Sequence, residues 1–104
     1  MKKLFIILFF FTLYNANTSY SESNTKFTLE KIVENLKKPW SLSFVDDENI
    51  IFTEKSGKLF ILNLKAKEIL EINHNLSILE VGQGGLLDVL YHEDEIYISY
   101  SENR

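Results

Sequence analysis

The sequence predicts an all-β fold of propeller type, and three observations carry that expectation. From Trp40 onward, short runs rich in β-branched and aromatic residues follow one another, each closed by acidic residues, Asn, Ser or Gly. Four such runs fill residues 40–72, the strand number of one propeller blade. The pattern then restarts. Leu42-Ser43-Phe44-Val45 and Ile50-Ile51-Phe52-Thr53-Glu54 are echoed by Leu87-Asp88-Val89-Leu90 and Ile96-Tyr97-Ile98-Ser99-Tyr100. The echo falls about 45 residues on, within the ~40–50-residue period of a blade. A β-sandwich would also supply short strands, but not this restart.

Taken in chain order, Lys2-Lys3 followed by the apolar run Leu4–Leu13 and a polar, small-residue stretch has the layout of a secretory signal peptide. The apolar run is half the roughly 20 residues that cross a bilayer, which argues against an anchor. Residues 1–21 are therefore expected to be removed on export to the periplasm or the medium, with no stable membrane insertion afterwards. Residues 22–36 read as a polar leader and a first strand, Phe27–Glu34, on the alternation of Phe27, Leu29 and Lys31. Residues 37–104 read as the blade-bearing part.

Pro39 opens that part, since proline cannot sit inside a central strand. Trp40, Leu42 and Phe44 share one face of the next strand, and Asp46-Asp47-Glu48-Asn49 turns the chain. Ile50–Glu54 is the second strand, Ser56-Gly57 a hairpin turn and Lys58–Asn63 the third strand. Lys67–Ile72 is a fourth, for which the helix formers between Leu64 and Leu70 leave a short helix as the alternative. A connection follows, and the next strand begins near Leu86. His92–Glu95 turns into the last strand.

The composition narrows the function. The chain of 104 residues carries a formal charge of −4, without a basic cluster, and is more acidic once Lys2 and Lys3 have gone. It is a poor nucleic-acid or anionic-lipid binder. The absence of cysteine excludes a disulfide scaffold, a thiolate metal site and a cysteine nucleophile. Asp46–Glu48 lacks the glycine and alternating oxygen ligands of a calcium loop. His74 and His92 have no ligand-spaced partner and read as solvated turn residues. Trp40 reads as a core anchor rather than a stacking surface. Asp88 fits either an inward position beneath the preceding loop or a plain exposed face.

The stretch with the most chemical content is Gly82-Gln83-Gly84-Gly85-Leu86-Leu87-Asp88. Three glycines around one amide allow a sharp turn that presents Gln83 at a strand mouth. Strand signals follow it rather than a helix start, so it is not a phosphate cradle. An amide offers two donors and an acceptor, suited to vicinal hydroxyls. Capping a glycine-rich turn is the other reading of Gln83.

With Lys38-Pro39-Trp40-Ser41-Leu42 and Thr53-Glu54-Lys55-Ser56-Gly57, this stretch resembles the soluble glucose/sorbosone dehydrogenases. Those are secreted six-bladed β-propellers that oxidise aldose sugars with pyrroloquinoline quinone (PQQ). The resemblance covers roughly Leu36–Tyr100 and implies the first blade and the start of the second. It also implies that Gln83 contacts the sugar substrate. The family's histidine base, its quinone-holding basic residues and its calcium ligands lie further on, so no catalytic, cofactor-binding or metal residue is assigned here. Where the family often has a His-Pro-Asp-Phe turn, this chain reads His92-Glu93-Asp94-Glu95. The expectation is part of an exported PQQ-dependent sugar dehydrogenase, inactive by itself. A non-catalytic exported propeller serving as a binding or scaffold module is the alternative.

Overall fold

The computed structural model describes residues 25–102. Those that lie in the unit Lys31–Arg104 form six antiparallel strands: β1 (Pro39–Phe44), β2 (Asn49–Glu54), β3 (Leu59–Asn63), β4 (Glu68–Ile72), β5 (Leu86–His92) and β6 (Glu95–Tyr100). Strands β1-β2-β3-β4 form one meandering sheet in sequence order, and β5-β6 form a separate hairpin. This is one complete blade and the first hairpin of another. The four expected strands of the blade are all present, and the fourth, Glu68–Ile72, is strand rather than helix, with Lys67 in the turn before it. Pro39 is tolerated because it is the first residue of an edge strand, where no ladder bond needs its missing N–H.

Period-two alternation gives the sheet two apolar faces. Ile51 and Leu59 share one with Ser41 and Ser43, and cluster with Leu86 and Val89 of β5. Leu86 is fully buried there. Ile50, Phe52 and Leu62 form the other cluster, in which Phe52 stacks on Phe60 at 5.0 Å between centroids. Leu42 and Phe44 extend that second face and are exposed.

Two serines join the blades. Ser41 Oγ accepts the Val89 N–H at 3.3 Å, and Ser43 Oγ accepts the Tyr91 N–H at 2.9 Å. The edge of β5 not paired with β6 thus finds side-chain acceptors on β1. Thr53, fully buried, donates to the Leu87 carbonyl at 2.7 Å and accepts the Ser41 N–H at 3.2 Å.

Three expectations are corrected. Residues 27–34 form no strand. Phe27 and Leu29 are exposed, whereas the consecutive Ile32 and Val33 both pack on the Ile50–Phe52–Leu62 cluster, which breaks strand alternation. Asn35 then takes a positive φ of 65°, ending any extended run. The echo is also offset from its expected position. Pro39 pairs with Glu54, Leu42 with Phe52 and Phe44 with Ile50, as Leu86 pairs with Tyr100, Val89 with Ile98 and Tyr91 with Ile96. Leu42 therefore corresponds to Val89, not to Leu87. A slip of two residues keeps every side chain on its face, so alternation alone could not detect it. Finally, the β5–β6 turn is shorter than expected. Glu93 and Asp94 form a two-residue loop with φ of 49° and 62°, the type I′ pattern. Neither residue is a glycine or asparagine, which hid it. The expected leader, residues 1–21, lies outside the described residues.

Candidate functional site

The connection from β4 to β5 is held in place along its length. His74 Nε2 lies 2.6 Å from the Gly57 carbonyl, and its Nδ1 accepts the Leu76 N–H at 3.2 Å. Since Nδ1 is an acceptor, Nε2 carries the hydrogen and donates to Gly57. His74 is thus a staple between this loop and the β2–β3 turn rather than a freely solvated residue. His92 is exposed at the end of β5, as expected. Further along, Ile78 bridges Glu102, and the Leu79 N–H donates to the Ser101 carbonyl at 2.8 Å.

The glycine run closes the connection. The Gly84 N–H donates to the Val81 carbonyl at 2.8 Å, making Val81–Gly84 a β-turn with Gly82 and Gln83 at its centre. Gly82 has φ of 59° and Gln83 is not in the left-handed region, the combination of a type II′ turn. Gln83 is exposed at the tip. Gly85 has φ of 152°, and a Cβ there would collide with the Lys55 carbonyl and side-chain stem. That close approach lets the Leu86 N–H reach the Lys55 carbonyl at 2.9 Å, while the Gly85 carbonyl accepts the Ser101 N–H at 2.9 Å. The glycines therefore set the shape of the loop.

Lys55 is the hub that sequence reasoning missed. Its N–H donates to the Lys38 carbonyl at 3.0 Å, and its carbonyl accepts Leu86. Its ammonium donates to the Gly82 carbonyl at 2.5 Å and sits 5.6 Å from the centre of the Trp40 ring. Lys38 is ion-paired with Glu80 at 2.7 Å, a second tie between the connection and the start of β1. The signal was present in Thr53-Glu54-Lys55-Ser56-Gly57, but the run reads locally only as a hairpin turn.

Trp40 is also corrected. It is 47% exposed, not a core anchor. Three residue steps on β1, Pro39 to Leu42, face two on β2, Glu54 to Phe52, a β-bulge that contains Trp40. Asp88 is exposed, and its N–H donates to Ser99 Oγ at 3.1 Å, which selects the exposed-face reading. Glu54 is buried, but its carboxylate is committed to the Lys37 N–H at 2.7 Å. The hollow of about 250 Å³ beside it, lined by Leu36, Phe52, Glu54 and Phe60, lies on the Phe52 side of the sheet and includes neither Gln83 nor Trp40.

Next to Gln83, at the Gly82 carbonyl, the structure places the Lys55 ammonium, with the Trp40 indole against it. These groups suit binding and orientation of a polar, hydroxyl-rich molecule. Among the described residues no group of three or more His, Cys, Asp or Glu could hold a metal ion. Lys38 is ion-paired with Glu80, and the single ammonium of Lys55 does not by itself make a cradle for a polyanionic quinone. No step through quinone or calcium is derived from these residues.

A four-stranded blade followed by the first hairpin of another, with a glycine-built loop over the shared strand mouth, defines a piece of a β-propeller. A family model described as glucose / sorbosone dehydrogenase matches residues 36–104, and the chain belongs to that family. Among solved structures it is similar to a glucose dehydrogenase at 32% identity and a TM-score of 0.65, over 72% of this chain and 25% of that one. A second glucose dehydrogenase structure matches at 30% identity and a TM-score of 0.64, over 72% and 24%. An oxidoreductase (glucose dehydrogenase) from Thermus thermophilus, at 23% identity and a TM-score of 0.61 over 70% and 22%, shows the fold alone. The chain thus spans about a quarter of the length of these structures. No curated protein matches it.

Proposed function

We propose that the chain is part of an exported, quinone-dependent dehydrogenase that oxidises aldose sugars at C1, and that Gln83 binds the sugar. One observation carries the role of Gln83. The turn that presents it is closed by the Gly84–Val81 backbone bond and by Lys55 on Gly82, so its exposed amide is not needed as a cap. An amide held this way orients hydroxyls and does not transfer protons. Membership of the glucose/sorbosone dehydrogenase family supports a sugar as the substrate class. The quinone, which supplies the redox chemistry, and calcium would be held by other residues of a complete polypeptide.

Dye-linked oxidation of aldoses, with quinone and calcium added, tests the reading. The complete polypeptide should turn over, and Gln83→Ala should lower its kcat/KM by about 1–3 kcal/mol, the worth of one unpaired polar contact. The chain of residues 1–104 alone should be silent, because a hydride transfer needs a base within hydrogen-bond reach. Turnover by this chain alone would contradict the account. Export is tested separately, by N-terminal sequencing of protein recovered outside the cytoplasm. The expected start lies within residues 17–22, and a start at Met1 would refute cleavage.

A further inference from the structure

Trp40 has an environment that a structural role does not explain. It lies in the bulge at the start of β1 and is half exposed, although the β2 residues that face this part of β1, Thr53 and Glu54, are buried. The residue at the corresponding place in the second blade is Leu87, which is less exposed and lies within the same kind of irregularity. An aromatic ring is therefore not required by the bulge itself.

The ring is also connected to the loop that carries Gln83. The Lys55 ammonium stands 5.6 Å from the indole centre and donates to the carbonyl of Gly82, the residue before Gln83. Indole and ammonium lie together, and the ammonium bond reaches the residue next to Gln83, while backbone bonds from Lys55 to Lys38 and from Leu86 to Lys55 fix the strand end and the loop. One of the three ammonium hydrogens is used by Gly82, which leaves two to donate.

We propose that Trp40 is a stacking platform for the sugar, on the ring face that the Lys55 ammonium does not cover, with Lys55 and Gln83 supplying the polar groups of the site. This rests on the reading of Gln83 as a substrate contact. An aldopyranose has an apolar C–H face and a rim of hydroxyls. The electron-rich face of an indole takes the first, and amide and ammonium donors take the second. Trp40 positions the ring of the sugar, and Gln83 sets its rotation on that platform.

Trp40 is the one tryptophan of the chain, so its emission reports this ring alone. The chain is titrated with D-glucose, with glycerol as the polyol control, and binding is followed independently by saturation-transfer NMR on the sugar. Glucose should change Trp40 emission saturably and glycerol should not. Trp40→Leu, which installs the residue of the second blade, should weaken binding about three- to tenfold, and Trp40→Phe should weaken it less. Sugar binding that leaves Trp40 emission unchanged, or that Trp40→Leu and Trp40→Phe both retain in full, overturns the platform while leaving Gln83 in place. Binding that is undetectable by NMR, or indifferent to Gln83→Ala, overturns both.

Discussion

The two blades share a backbone and differ in their side chains. In each, the inner strand is irregular at the same place, between Pro39 and Leu42 in β1 and between Leu86 and Val89 in β5. In each, a hydroxyl on the second strand accepts the N–H freed by that irregularity, from Ser41 to Thr53 in one and from Asp88 to Ser99 in the other. The positions around this shared device diverge. Trp40 stands where the second blade has Leu87, Ser43 where it has Leu90, and Lys55 where it has Ser101. The repeat therefore specifies strand pairing and bulge capping. The chemistry at the mouth belongs to one blade and to the loop between them.

The comparison can be broken most severely at Gly85. Gly85→Val places a Cβ against the Lys55 backbone at a φ that side chains rarely adopt, and should cost about 3 kcal/mol or more. Gly82 has open space around it and a φ that asparagine tolerates, so Gly82→Asn should be far milder. Urea denaturation of both variants checks the contrast.

Next in size is the buried core where the blades meet. Leu86→Ala should destabilise by about 2–5 kcal/mol, whereas Leu90→Ala, exposed on the same strand, should stay within about 0.5 kcal/mol. Equal losses would mean that the face carrying Leu90 is also packed in solution.

The capping hydroxyls give a sharper test. Thr53 is fully buried and also donates to the Leu87 carbonyl, so Thr53→Val should cost about 1–3 kcal/mol by leaving those groups unpaired. Ser99 lies nearer the solvent, and its bond to the Asp88 N–H is one that water can replace. Ser99→Ala should cost less than Thr53→Val in the same denaturation series.

The turns are the smallest effects. Glu93→Asn should stabilise by about 0.5 kcal/mol, because asparagine accepts the positive φ better than glutamate. In the other blade, the Asn49 side chain and the Glu48 and Asn49 N–H groups bond the Asp46 carboxylate and lower its pKa, the side-chain bond most of all. A depressed carboxylate pKa contributes stability above its unfolded-state value, and that contribution is lost as pH falls through the folded-state value. Asp46→Asn should therefore flatten the loss of stability below about pH 4, which thermal melts across that range would show.

Most of this architecture was legible because short strands and their turns are local. Alternation and β-branched runs located β1 to β6, and three glycines marked the loop. What stayed hidden depends on tertiary geometry. Phe27–Glu34 looked like strand on the alternation of Phe27, Leu29 and Lys31, whereas the sheet face receives Ile32 and Val33 together. The slip of the echo leaves every side chain on its face. Trp40 looked like core because its pattern matches Leu42 and Phe44, but all three are exposed in the folded chain. Lys55 and His74 act through backbone groups distant in sequence, which no local pattern announces. Gln83 was legible as a candidate, whereas the link from Lys55 to Gly82 and to Trp40 was not.

The central claim is that backbone bonds and Lys55 build the mouth turn, leaving Gln83 for a ligand. Thermal melts of Gln83→Ala, paired with its affinity for glucose, test that most directly. The melting temperature should stay within about 1 °C of the parent chain, since an exposed side chain at a turn tip contributes little to stability, and glucose affinity should fall. A loss of several degrees with unchanged affinity would make Gln83 a structural cap and remove the sugar site from this loop.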